Sequence, residues 1–172
     1  MYTYNITILG VQIMKKIYQL RNEIDKHLEE VQEDERFKAV RHLYGVSDIC
    51  SLLALRRNLD SRTCAAAGLL HDLWSYKTGI EENHAKPGAR LAEEILSEIY
   101  DFEKDEIKTI TDMIKVHSDK GRIQGEYEEV LKDADVVQHY LNEPEKKYVK
   151  TKAQRIKRSL RELGINIKVH KK

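Results

Sequence analysis

Apolar residues along this chain recur at helical spacing, and several of the stripes they form end on a histidine or an aspartate. His42 shares its face with Val46, Ile49 and Leu53, an i, i+4, i+7, i+11 pattern that a 3.6-residue repeat brings into line. His117 continues the stripe of Ile107, Ile110 and Ile114, and Asp135 stands beside Tyr127, Leu131 and Ala134. The run AAAGLLHDLW carries small and apolar residues straight into His71 and Asp72, with Cys64, Ala67 and Gly68 on the face of His71. Those small residues allow a neighbouring helix to approach closely around the imidazole. Ionisable groups on core-facing stripes are costly unless something compensates them. A chain patterned this way must pack helix against helix and also supply a partner for these groups.

Breakers are scarce, with two prolines and eight glycines in 172 residues, so long helices with short connections are expected. The pattern predicts an all-α fold, a single bundle of six or seven helices. Their expected spans are 11–32, 35–58, 61–76, 87–100, 104–118 and 127–141, with a seventh in the basic C-terminal segment. Ser61 is the expected N-cap of the third, Lys77-Thr-Gly79 its stop, and Pro87 suits the first turn of the fourth. The main domain is placed at 14–143. Residues 1–13 read either as a short strand or ordered arm, or as residues preceding a true start at Met14. Two cysteines make neither a disulfide framework nor a metal knuckle, which points to a reducing cytoplasm. No segment is apolar for long enough to span a membrane.

The net charge of +1 conceals an asymmetry. Residues 144–172 carry 11 Lys/Arg against Glu145 and Glu162, a balance of +9 set against −8 for the rest. Val149, Ala153, Ile156, Leu160 and Leu163 give this segment an apolar helical face, so it is expected to dock on its own acidic body. Binding of a polyanion is a secondary use open to the same charge.

A lone inward histidine is ordinarily a satisfied core group, a lone aspartate a cap or an ion-pair partner. Here four helices each direct a metal-competent side chain inward, and one shared cation would satisfy them together. Imidazole and carboxylate donors suit Mn, Fe, Co, Ni or Zn better than calcium.

The order His…His-Asp…Asp resembles the HD superfamily of metal-dependent phosphohydrolases, all-α proteins named for that dipeptide. RHLYGVSDICSLLALRRNLD is similar to the first ligand helix, GLLHDL to the signature and KDADVVQHYL to the closing motif, over about 36–141. The match selects Asp135 rather than Asp133. His84 in NHAKPGARLAEEIL and His117 in IKVHSDK resemble the second-metal histidines of the dinucleoside tetraphosphate hydrolase group. The resemblance implies His42, His71, Asp72 and Asp135 on one ion, and Asp72, His84 and His117 on another. Asp72 bridges them. A single ion, with His84 and His117 around it or on substrate phosphate, is the alternative.

By the same resemblance, His71 and Asp72 carry the catalytic centre, and a metal-activated water attacks a small phosphorylated substrate, expected to be a nucleotide. Lys77, Lys86, Arg90 and Lys120 are the candidate substrate cations, Lys120 foremost, and His139 one turn after Asp135 is a candidate to orient it or line the site. One departure stands out. Many HD nucleotidases carry an acid shortly after the dipeptide, where this chain has Leu73, Trp74, Ser75 and Tyr76. Glu81, Glu82 and Asp119 are the remaining candidates for a proton acceptor. Two other functions fit the residues: a di-iron HD oxygenase, and a metal-stabilised module whose basic helix engages RNA.

Overall fold

The computed structural model describes residues 8–99 and 101–166, with side chains from residue 15 onward. Eight helices make up the described residues: α1 (Ile8–Glu29), α2 (Glu33–Arg56), α3 (Ser61–Leu70), α4 (Leu73–Thr78), α5 (Ala85–Glu98), α6 (Lys104–Val116), α7 (Glu126–Asn142) and α8 (Lys150–Glu162). No strand occurs among them. The all-α expectation holds. Of residues 1–13, read as a short strand or arm or as residues before a true start, 8–13 belong to the helix α1 and not to a strand, and 1–7 lie outside the described residues.

α3 is the central element. Every residue from Thr63 to Leu70 is buried, as its small, apolar sequence demands, and α1, α2, α6 and α7 pack around it. Gly68 sets the closest of these approaches: a Cβ there would lie 2.7 Å from the backbone N and Cα of Ser47 in α2. The N-cap of α3 is Asp60 rather than Ser61, because Asp60 Oδ1 accepts hydrogen bonds from the N–H groups of Arg62 and Thr63 at 3.1 and 2.8 Å.

The expected helix over 61–76 is two helices. His71 closes α3 in the helical region, and Asp72 steps out of it at φ −116°, ψ 6° before α4 begins. Two adjacent residues of a continuous helix point about 100° apart. The break relieves that divergence, and both side chains reach one centre. α4 then stops at Gly79, whose φ of 71° requires the left-handed region and whose N–H bonds to Ser75 O at 2.8 Å.

The basic C-terminal helix lies on α7 and α2. Ala153, Ile156 and Leu160 are buried; Val149, expected on the same stripe, is 58% exposed because it is the N-cap rather than part of the helix. Asp133, fully buried, draws three guanidiniums: Arg57 at 2.8 Å, Arg155 at 2.8 Å and Arg158 at 2.6 Å. Arg155 also reaches Glu129 at 2.7 Å, and Arg57 reaches Glu162 at 2.8 Å. A buried carboxylate is tolerable only with such partners. No helix among the described residues is long and apolar enough to cross a membrane.

Candidate metal centre

Helix ends aim the histidines. His71 and His117 are the C-cap residues of α3 and α6, and His84 is the N-cap of α5. Each turns its Nδ1 onto a carbonyl three residues earlier: His71 on Gly68 O at 2.9 Å, His84 on Glu81 O at 2.6 Å and His117 on Ile114 O at 2.7 Å. Carbonyls in the last turn of a helix run short of intrahelical donors and have lone pairs to spare, and Ile114 O takes the His117 N–H at 3.3 Å as well as its ring. His42, inside α2, finds its acceptor on α7 instead, with Nδ1 2.7 Å from Gln138 Oε1. The amide nitrogen of Gln138 donates to Arg41 O at 3.2 Å, which turns Oε1 towards the ring.

A carbonyl oxygen can only accept, so all four Nδ1 atoms carry hydrogen and the neutral rings present bare Nε2 lone pairs inward. Those lone pairs face one another. His42 and His71 Nε2 are 3.1 Å apart, and His84 and His117 Nε2 are 3.0 Å apart. Asp72 lies between the pairs. Its Oδ2 is 3.4 Å from His42 and 3.2 Å from His71; its Oδ1 is 3.0 Å from His84 and 3.2 Å from His117. Asp135 Oδ1 stands 3.7 Å from His42 Nε2.

Two facing lone pairs cannot hydrogen-bond; they need a cation or a proton between them. The buried oxygens Asp72 Oδ1 and Asp135 Oδ1 likewise have no satisfying hydrogen bond. The donor spacings match those of neighbouring ligands around a small cation, about 3.0–3.4 Å for bonds of about 2.1 Å. Two groups of donors each bring one ligand atom per residue within 4.8 Å of the others, His42 with His71 and Asp135, and His71 with Asp72 and His117. Nδ1–H anchored on a carbonyl or amide is also the arrangement that orients a metal-binding imidazole.

The electrostatics favour the charge state a cation needs. Burial alone would raise both carboxyls. The surrounding histidines, His71 first, hold Asp72 well below the usual carboxylate range, and the Lys120 ammonium does the same for Asp135. For His42, burial works against a positive charge, but Asp72 and Asp135 outweigh it and the ring's pKa rises. His84 is raised too, chiefly by the Asp72 carboxylate beside it, whereas burial pushes His117 down. The His84–His117 pair thus mixes a ring that attracts positive charge with one that readily leaves a lone pair bare.

A family model described as HD domain matches residues 39–140, more than half of the chain, from within α2 to within α7. The chain belongs to the HD domain family. No curated protein and no solved structure matches the chain. Membership suggests metal-dependent hydrolysis, and the buried His/Asp groups of this HD domain could hold divalent metal.

A cavity of about 690 Å³ opens onto the cluster. His42, Asp72, His84, His117 and Asp135 line it, as do Lys120 and His139. Lys120 is buried and donates to Asp135 Oδ2 and to His117 O at 2.6 Å, so it braces two members of the cluster. His139 Nε2 lies 3.2 Å from Asp135 Oδ1 with its side chain half-exposed. The other three candidate cations lie elsewhere. Lys77 turns to α1, 3.0 Å from Glu30 and 2.6 Å from His27 Nδ1, because the break at Asp72 rotates α4 relative to a continuous helix. Lys86 is exposed in a separate depression beside Lys115, and Arg90 is exposed and lines neither cavity.

Sequence reasoning missed Gln138, Glu35, Tyr76 and Lys152. The last three line the cavity from α2, α4 and α8. The signal for Gln138 was its position four residues before the end of α7 beside Asp135, but an amide's role depends on the facing helix. Of the three acids considered for proton transfer, Glu81 lines the cavity, while Asp119 Oδ1 instead accepts from the N–H groups of Gly121 and Arg122 at 3.3 and 3.2 Å.

Proposed function

We propose that this HD domain is a two-metal phosphohydrolase that cleaves a phosphate ester or anhydride of a nucleotide. The observation that carries this reading is Asp72, whose two oxygens each face a different pair of bare imidazole nitrogens. A carboxylate so placed is suited to join two ions. His42, His71, Asp72 and Asp135 would hold one, and Asp72, His84 and His117 the other. Bound there, divalent ions of the Mn, Fe, Co, Ni or Zn group would supply an acidified water and neutralise phosphate charge.

The chain's own groups do the rest. Lys120 fixes the Asp135 carboxylate and the end of α6, so the cluster is preorganised. Glu35 and Glu81 are the carboxylates outside the cluster that line the cavity, and they are positioned to accept a proton there. Membership of the family and a cavity large enough for a nucleotide support the reading together. The RNA-binding alternative draws less support, because Arg155 and Arg158 of the basic helix are already engaged by Asp133.

The test is phosphate release from a nucleotide panel, with protein loaded separately with Mn, Fe, Co, Ni and Zn. The expected result is metal-dependent release that falls by about a hundredfold or more in His71→Ala and Asp72→Ala. No release from any nucleotide with any of these metals overturns the proposal.

A further inference from the structure

A smaller cavity of about 200 Å³ adjoins the main one, and His139 and Lys152 line both. The smaller cavity is walled by Lys146, Lys147, Tyr148, Val149, Lys152 and Val136. Lys146 and Lys147 come from the connection between α7 and α8, and Lys152 from the first turn of α8. All three lie beyond residue 140, where the match to the family model ends.

The charges of the two chambers differ. Around the cluster the walls carry Glu35, Glu81, Asp72 and Asp135 together with Lys120 and Lys152; past His139 the charged wall residues are lysines alone. Lys146 is paired with Glu143 at 2.6 Å, three residues away and at the surface. Lys147 and Lys152 are exposed and make no ion pair among the described residues. Three ammonium groups around one small concavity repel one another, and an anion between them removes that repulsion. Lysine on its flexible stem is a point-charge phosphate binder with rotatable donors. The wall itself is held in place: Tyr148 is buried against Tyr140, ring centroids 6.1 Å apart, and its hydroxyl donates to Glu143 O at 3.3 Å.

We infer that this lysine-lined cavity is a subsite for a phosphate other than the one cleaved, so that the enzyme selects substrates carrying several phosphates in a row. The inference rests on the phosphohydrolase reading for the identity of the neighbouring chamber. A substrate with its scissile group at the cluster runs past His139 and places its remaining phosphates against Lys146, Lys147 and Lys152. A nucleoside monophosphate leaves the subsite unfilled. The shared chemistry is a run of phosphates, belonging either to a nucleotide or to an inorganic chain.

The experiment is equilibrium binding by titration calorimetry, with tripolyphosphate, orthophosphate and a nucleoside triphosphate as probes. Wild type and the Lys147→Gln/Lys152→Gln double variant are compared. Both lysines are exposed, so the variant is expected to keep the wild-type circular dichroism spectrum and melting temperature. Wild type should prefer tripolyphosphate over orthophosphate, and the double substitution should cut that preference by about tenfold, the effect of two exposed ion pairs. Tighter binding of the nucleoside triphosphate than of tripolyphosphate assigns the run to a nucleotide; equal binding assigns it to an inorganic chain. A preference that survives the substitution, or equal loss for both anions, overturns the subsite. The two readings fail separately. Protein that releases no phosphate from any nucleotide but keeps a lysine-dependent preference retains the subsite and loses the hydrolase. Protein that hydrolyses nucleotides with a preference indifferent to both lysines retains the reaction and loses the subsite.

Discussion

At the scale of single residues, orientation matters as much as presence. The helical stripes made His42, His117 and Asp135 legible, because burial of an ionisable group follows directly from apolar neighbours at 3.6-residue spacing. Gln138 was not legible. Its importance comes from a contact between α2 and α7, where its amide receives the His42 Nδ1–H at 2.7 Å and is itself fixed by Arg41 O at 3.2 Å. Without that acceptor the ring is free to flip and to turn its lone pair away. Gln138→Leu is therefore expected to weaken metal affinity by about 10- to 100-fold while leaving every proposed ligand in place. Competition with a chromophoric chelator measures it, and unchanged affinity would show that the amide does not orient the ring. Asp133 and Asp135 teach the complementary point. Two residues apart, they lie on different sides of α7: Asp133 meets three arginines, and Asp135 meets Lys120 and the histidines.

Among elements, the break between α3 and α4 is the feature the sequence concealed. SRTCAAAGLLHDLWSYKT has helical composition throughout and contains no proline, and nothing local marks residue 72 as the step. Tertiary demand makes it, because His71 and Asp72 face one centre only if the backbone turns between them. Nearness in sequence to His71 and Asp72 made Lys77 a candidate, but in space it meets Glu30 and His27. α8 shows the opposite case, since charge balance and an apolar stripe were enough to indicate docking; the route of that docking needed coordinates. Arg155 Nε donates to Lys120 O at 2.9 Å while its guanidinium spans Glu129 and Asp133, and Lys120 in turn holds Asp135. Arg155→Met should destabilise the fold by about 3 kcal/mol, at the low end for a broken buried ion pair because Arg57 and Arg158 remain on Asp133. Denaturant unfolding measures this, and a loss below about 1 kcal/mol would mean that α8 is held by its apolar face alone.

Considered as a whole molecule, the chain sets a +9 C-terminal segment against a −8 remainder and uses the difference to hold α8 in place. That attachment is acid-sensitive, with a defined sign. Burial alone would raise the Glu129 carboxyl, but the Arg155 guanidinium and the Gln124 N–H outweigh it and lower its pKa from the ordinary 4.5. A carboxyl lowered on folding stabilises the folded state above its unfolded value and loses that contribution as pH falls through its folded one. Wild type should therefore melt above Glu129→Gln at neutral pH, and the gap should narrow progressively as pH falls below 4.5. A gap constant with pH would place the stabilisation outside this ion pair. The central claim is that bare imidazole nitrogens from α2, the ends of α3 and α6 and the start of α5 meet around Asp72 to hold transition metal. Elemental analysis of the purified protein, incubated with Mn, Fe, Co, Ni or Zn and desalted, tests it most directly. About two equivalents per chain of at least one of these metals, lost in Asp72→Ala, is the expected result; a folded wild-type chain that retains none of them would contradict the account.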